Sequence, residues 1–259
     1  MQTYPVVVLA GYSREKPDPL AAAMGAERKA LLDVGGKPMV WWVVDALRRS
    51  RRVGRMAIVG MSPEDGVDFG VDVLYVPNQS RHLDNIMAGM RALQAVEPHL
   101  DRFLIASADI PLLQPETVDW FVAACEAQDG DFFYSIVEQQ VMEGQFPGAA
   151  RSYVPVREGR FCGGDLFMVR AAIAHNNEPL VRELLARRKS AFQQVRLAGF
   201  RTVLKFLFRR LTIADAEAVF SRLMQCKTRA VCSPYADLGM DVDKPHQLEM
   251  VRRLVGARA

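Results

Sequence analysis

The sequence predicts an α/β fold built on a mainly parallel sheet, and three observations predict it. Short, fully apolar runs, VVVLA at residues 6–10, MAIV at 56–59 and FLIA at 103–106, read as strands buried on both faces. Stretches with apolar residues at helical spacing alternate with these runs, and strands that alternate with helices pair in parallel. Third, FLIA runs straight into Ser107, Ala108 and Asp109, which sets a carboxylate at the carboxyl edge of the sheet, where open α/β folds bind ligands.

The first strand stops at Gly11, and residues 12–28 dissolve into Ser, Arg, Lys, Pro, Asp and Gly. Lys29 then arrives beside Ala30, Leu31 and Leu32, and Gly35-Gly36-Lys37-Pro38 makes a second turn. A strand, a polar basic loop and an anchored lysine are the sequence of a phosphate-binding site. Residues 39–48 (MVWWVVDALR) have the length of a helix lying on a sheet, with the adjacent Trp41 and Trp42 as packing residues on different sides. The basic run Arg48, Arg49, Arg51, Arg52, Arg55 is expected to be a solvated cluster that complements the end of this helix.

Strands follow at 56–59 and 71–76, then a polar turn, then a helix over 82–93 with Leu83, Ile86, Met87, Met90 and Leu93 on one stripe. Asn85 falls off that stripe in the first turn, as a surface amide or as a group at the ligand edge of the sheet. Asp109 precedes Pro111, which fixes the turn, and it stands too far from the helix starting near Pro115 to cap it; it is therefore expected to be a metal ligand. A helix over 116–127 and a strand over 132–137 come next. Residues 151–157, with Arg151, Tyr153 and Arg157, alternate poorly. Gly163 and Gly164 stand before a strand over 166–169, suited to close approach of a ligand or to an ordinary bulge.

Residues 180–224 change character, with arginines and lysines interleaved among Leu, Phe and Val. They are expected to form a helical insertion covering the sheet, with a lid, a dimer contact or a membrane-facing patch as the other readings. Ala230 and Val231 resume strand character. In Asp241-Val242-Asp243 the two carboxylates face opposite ways if extended, so only one reaches the site of Asp109. A final helix is expected over 246–255.

At 259 residues and 50% hydrophobic, the chain has enough apolar residues for a sizeable core, and residues 1–259 are expected to form one domain. A net charge of +3 is too small to argue for a nucleic-acid partner, and no nucleic-acid-binding module is present. The sequence enters a strand within five residues without a signal-peptide pattern, and no apolar run approaches the ~18 residues of a membrane-spanning helix. A cytoplasmic protein is expected. Cys125, Cys162, Cys226 and Cys232 form no C-x-x-C pair and the histidines are scattered, which argues for reduced thiols and against a zinc site.

Taken together, Leu9-Ala10-Gly11 with Lys29 and Gly36-Lys37-Pro38, Ala108-Asp109-Ile110-Pro111, and Asp241-Val242-Asp243-Lys244-Pro245 before the last helix resemble the MobA-like nucleotidyltransferases. The resemblance implies a three-layer α/β sandwich with a mainly parallel mixed sheet, like that of nucleotide-diphospho-sugar transferases, carrying a helical insertion at about 180–225. It implies that Leu9, Ala10 and Gly11 meet the nucleotide base with Asn85 assisting, and that Arg14 and Lys29 hold the triphosphate. It further implies that Asp109 and Asp243 bind Mg2+, and that Gly164 and Asp165 contact the acceptor. Tyr12 stands where relatives carry a second glycine, and residues 15–23 expand the usual Arg-Met-Gly-x-x-Lys spacing.

The activity implied is transfer of NMP from an NTP, CTP or GTP, to a phosphorylated small-molecule acceptor with release of pyrophosphate. A glycosyltransferase on the same fold and a non-catalytic nucleotide-binding protein are the rivals. A dinucleotide-binding dehydrogenase is excluded, because Gly11-Tyr12-Ser13 does not supply G-x-G-x-x-G.

Overall fold

The computed structural model describes residues 1–13, 15–176 and 200–257. Its strands are β1 (Tyr4–Leu9), β2 (Asp33–Val34), β3 (Lys37–Pro38), β4 (Val53–Val59), β5 (Leu74–Val76), β6 (Arg102–Ser107), β7 (Phe132–Glu138), β8 (Val154–Val156), β9 (Gly159–Arg170) and β10 (Thr228–Ser233). Its helices are α1 (Pro19–Ala23), α2 (Met39–Arg49), α3 (His82–Val96), α4 (Pro115–Glu126), α5 (Gln139–Gln145), α6 (Ala171–Asn176), α7 (Phe200–Leu207), α8 (Ile213–Met224) and α9 (Pro245–Gly256). No helix among the described residues is long and apolar enough to cross a membrane.

The main sheet has the order β10-β7-β9-β6-β1-β4-β5, with β8 paired to β9. Pairings β1–β4, β1–β6, β4–β5 and β7–β10 are parallel, whereas β9 runs antiparallel to both β6 and β7. This is the expected α/β sandwich with a mainly parallel mixed sheet. The period-2 alternation of the apolar runs sorts the core into two layers. Val6, Val8, Met56, Ile58, Leu104 and Ala106 face α2, α4 and α9. Val7, Ala57, Val59, Phe103 and Ile105 face Met87, Met90 and Leu93 of α3.

The chain leaves β1 for β4 on one side and returns through α3 to β6 on the other. The carboxyl ends of β1 and β6 therefore lie at the point where strand order reverses, which is where an open sheet leaves a crevice.

Several local details differ from the sequence reading. The loop after β1 contains a short helix, α1, because Asp18 accepts from the Leu20 and Ala21 amides (2.9 and 3.0 Å) and Pro19 opens the first turn. Gly163 and Gly164 lie inside the long strand β9 rather than ahead of it. Arg52 is not solvated: it is 8% exposed, donates to Glu126 and to the Gln2 carbonyl (3.0 Å), and joins the segment before β1 to α4. The rest of the basic run behaves as expected, Arg48 and Arg49 reaching Asp45 one turn back. Of the segment expected as a helical insertion, residues 180–199 fall outside the described residues, and 200–224 carry α7 and α8, the latter packed on β10.

Candidate active site

The ends of β1 and β6 are stitched together by the Ala108 amide, which donates to the Leu9 carbonyl at 3.1 Å. Above this contact opens a cavity of about 250 Å3, lined among others by Leu9, Ala10, Gly11, Tyr12, Lys29, Asn85 and Asp109. Residues predicted from separate segments are thus brought into one crevice.

Lys29 begins a short 3-10 turn in which Ala30 is buried, as is Leu32 just after it, and its ammonium projects into the crevice. There Nζ lies 2.7 Å from Asp109 Oδ2 and 2.5 Å from Asp243 Oδ1. The Lys29 side chain is 13% exposed, Asp109 22% and Asp243 54%, so the cluster is deep at Lys29 and open at Asp243. Burial alone would lower the lysine pKa, but the two carboxylates, Asp109 first, outweigh it and hold the ammonium above the ordinary lysine range.

Asp243 arrives on an extended loop, where the Val242 amide donates to the Asp109 carbonyl at 2.9 Å. The alternation expected for Asp241 and Asp243 is present: Asp243 meets Lys29, while Asp241 turns away and pairs with Arg151. The Arg151 and Asp241 side chains are each 14% exposed, so this is a largely buried ion pair that clamps the loop from behind.

Asp165 reaches the same neighbourhood because of a bulge in β9. Its pairing with β6 ends at Leu166, and between Tyr134 and Ile136 the register with β7 slips. Ser135 Oγ donates to the Leu166 carbonyl (2.8 Å) and so satisfies the interrupted ladder. Burial first, and then Asp109, raise the Asp165 carboxyl above the usual carboxylate range, partly offset by Arg151 and Lys29. Burial and Asp165 push the Tyr134 hydroxyl up to about 12. Gly164 has a packing reason to be glycine: a Cβ there would stand 2.4 Å from Ser135 Oγ and 3.2 Å from the Leu238 carbonyl.

On the opposite wall, Asn85 is 5% exposed, which removes the surface-amide reading. Its Oδ1 accepts from the Gln79 amide (2.7 Å) and its Nδ2 donates to Asn78 Oδ1 (3.3 Å). A Cβ on Gly11 would stand 2.0 Å from Asn85 Nδ2, so the side-chain amide can sit against the strand end only because residue 11 is glycine. Tyr12 is held by its backbone, Asn78 Nδ2 donating to its carbonyl (2.7 Å), and by its ring, 5.6 Å from the Arg28 guanidinium carbon. Arg28 in turn donates to both oxygens of Asp65 and to the Gly60 carbonyl (3.2 Å). Arg14 lies outside the described residues.

The arrangement suits a cation. With Arg151 and Asp241 paired to each other, Asp109 and Asp243 outnumber Lys29 in the crevice, and Asp109 Oδ1 is buried without a hydrogen-bond partner among the described residues. No three His, Cys, Asp or Glu side chains among the described residues form a ready-made metal cage. Magnesium at phosphate-transfer sites takes only one or two carboxylates, with phosphate and water completing its shell, so Asp109 and Asp243 fit it.

Sequence reasoning missed Asn78, Arg28 with Asp65, the Arg151–Asp241 pair, and His82 and Asp18 on the cavity wall. Only Asp18 carried a local signal, an aspartate before a proline at the start of a helix.

Residues 6–159 match the family model described as the MobA-like NTP transferase domain, a span that includes Lys29 and Asp109 and stops short of Asp165 and Asp243. Over 105 residues the chain is 35% identical to 2-C-methyl-D-erythritol 4-phosphate cytidylyltransferase of Frankia casuarinae, covering 39% of this chain and 38% of that protein. The chain thus spans about two fifths of that curated relative's length. Among solved structures, a hypothetical transferase from Thermus thermophilus is 32% identical with a TM-score of 0.82, covering 95% of this chain and 100% of that one. CMP:2-keto-3-deoxy-manno-octonic acid synthetase complexed with CTP shares the fold, with a TM-score of 0.62 at 16% identity and all of both chains covered. With more than half of its length matched and its strand ends carrying the expected side chains, the chain belongs to the MobA-like NTP transferase family of nucleotidyltransferases.

Proposed function

We propose that this protein transfers a nucleoside monophosphate from an NTP, with CTP favoured over GTP, to a phosphorylated small-molecule acceptor and releases pyrophosphate. The observation that carries the reading is the convergence of Asp109 and Asp243 on the Lys29 ammonium inside the crevice. CTP is favoured because a cytidylyltransferase and a synthetase complexed with CTP are among the similar proteins.

In this reading the backbone of Leu9, Ala10 and Gly11 faces the base, and the anchored Asn85 amide supplies hydrogen bonds to it. Lys29 stands as a fixed positive charge for the α-phosphate, with Arg14 on the departing pyrophosphate. Asp109 and Asp243 hold Mg2+, which when bound neutralises the charge crowded around the reacting phosphorus. An oxygen of the acceptor phosphate attacks the α-phosphorus in line. The bond from that phosphorus to the oxygen bridging to the β-phosphate breaks, and pyrophosphate leaves with the electron pair. The attacking phosphate is already anionic, so no general base is needed. Gly164 and Asp165 border the acceptor side.

A site in which carboxylates outnumber cations repels a triphosphate until a divalent ion is added, which makes activity without magnesium the critical control. The test measures pyrophosphate release from each of four NTPs against a set of phosphorylated acceptors, with and without Mg2+. Release with CTP in preference to the other three, abolished without magnesium, is expected. Nucleotide-induced thermal stabilisation with no turnover across the set would replace this reading with nucleotide binding alone.

A further inference from the structure

We propose that the end of α7 and the turn leading to α8 dock this protein onto the surface of an anionic lipid bilayer. The tip is Lys205-Phe206-Leu207-Phe208-Arg209-Arg210, the last residues of α7 and the turn that follows, and every one of these residues is exposed. Phe206 is 44% exposed, Leu207 68% and Phe208 70%. Three consecutive large apolar side chains left in water are uncommon on a folded surface and mark a place of contact. The fold's own needs are met by their neighbours, since Leu204 is half-buried and Leu211 is buried.

The turn is built rather than frayed. Arg209 N donates to the Phe206 carbonyl at 3.0 Å, and Arg210 N and Leu211 N both donate to the Lys205 carbonyl, at 2.6 and 3.1 Å. Arg209 adopts a left-handed conformation with φ of 54°, closing the end of α7. The flank that follows the tip is anchored to the β8–β9 turn: Arg157 N donates to the Leu211 carbonyl at 2.7 Å, and Ile213 N donates to the Glu158 carboxylate at 3.2 Å. The apolar tip is therefore presented on a fixed base.

Charge selects the occupant. Lys205 is tied to Asp215 at 2.6 Å, which leaves Arg209 and Arg210 as the cations beside the tip; among the described residues neither forms an ion pair. A second copy meeting this patch by two-fold symmetry would gather four arginines with no carboxylate among residues 205–210 to offset them. A bilayer with anionic headgroups takes both halves, the Phe and Leu side chains at the headgroup–acyl boundary and the guanidinium groups on lipid phosphates. Three apolar side chains and two cations make a shallow, reversible, salt-sensitive attachment. This proposal does not rest on the nucleotidyltransferase reading.

Co-sedimentation of the 259-residue chain with phosphatidylglycerol vesicles and with phosphatidylcholine vesicles, at low and high salt, tests it. Binding to the anionic vesicles that weakens with salt is expected, with little on the neutral ones. Arg209→Glu with Arg210→Glu should cut partitioning by at least about 30-fold, each arginine near such a surface contributing roughly a factor of five. Phe206→Ser with Phe208→Ser should also release the protein, and both variants should keep the parent's melting temperature because the altered side chains are exposed. Absence of binding to phosphatidylglycerol vesicles, equal binding to neutral ones, or undiminished binding by the folded variants would overturn the proposal. So would a lipid-free dimer that the Phe206→Ser, Phe208→Ser variant dissociates.

Discussion

The Val242 amide donates to the carbonyl of Asp109 at 2.9 Å, and this one bond ties the loop after β6 to the loop before α9. It sets the Asp243 carboxylate beside Asp109, with Lys29 between them. Two loops far apart in the chain thus behave as one support for a charged site.

Asp109→Asn and Asp243→Asn should each lower magnesium-dependent pyrophosphate release by about 100-fold or more, the scale for removing an electrostatic group at a reacting centre. Melting temperatures should stay close to the parent's, since Lys29 keeps one carboxylate partner in each variant. An Asp109→Asn protein with the parent's rate would remove the metal role.

Arg151→Gln should be costly to the fold. It leaves Asp241 buried without its cation, a loss of about 3 kcal/mol in urea unfolding. Adding Asp241→Asn to the same protein should restore much of that stability, because the stranded charge is gone. A single variant as stable as the parent would show that the pair does not clamp the loop.

Gly11→Ala forces a Cβ into the space 2.0 Å from Asn85 Nδ2. The amide must leave its bonds to Asn78 and the Gln79 amide, so KM for the NTP should rise by about tenfold, one or two hydrogen bonds' worth. Calorimetric titration of NTP gives the same comparison independently of turnover.

Asp237 gives stability a pH dependence. Burial pushes its carboxyl up to about 6, even though Thr117 Oγ1 and the Gln114 and Leu238 amides donate to it. The folded pKa lies above the unfolded one, so the folded state keeps a proton that the unfolded state has already lost. Unfolding free energy should therefore fall as pH rises from about 4 to 6 and level off above, by up to about 3 kcal/mol from this group. Asp237→Asn should flatten that slope in urea titrations run across the window; an unchanged slope would assign it to other carboxylates.

The strands and most helices were legible because their signals are local. β1 and β6 announce themselves as apolar runs, α3 as a stripe at helical spacing, and Asp109 as a carboxylate following a buried strand. Missed features depend on distant partners. The N-terminus of α4 is capped by Asp237, from 123 residues further along, with Gln114 N donating at 2.9 Å. Arg52 looked like one more solvated cation, and its burial follows from Glu126 and Gln2 lying beside it. The Asp165 bulge needed the three-strand register of β6, β9 and β7, which no single segment contains.

By itself, the sequence determined the α/β class, the positions of the central strands and the longer helices, and the residue types at the strand ends, because periodicity and turn chemistry act over a few residues. Tertiary structure alone decided which charges meet: Lys29 with Asp243 across 214 residues, Arg151 with Asp241, and Asn85 in the space left by a glycine. Those pairings follow from strand order and register, set by packing the whole sheet between its helices, and a local pattern holds no record of which strand lies beside which.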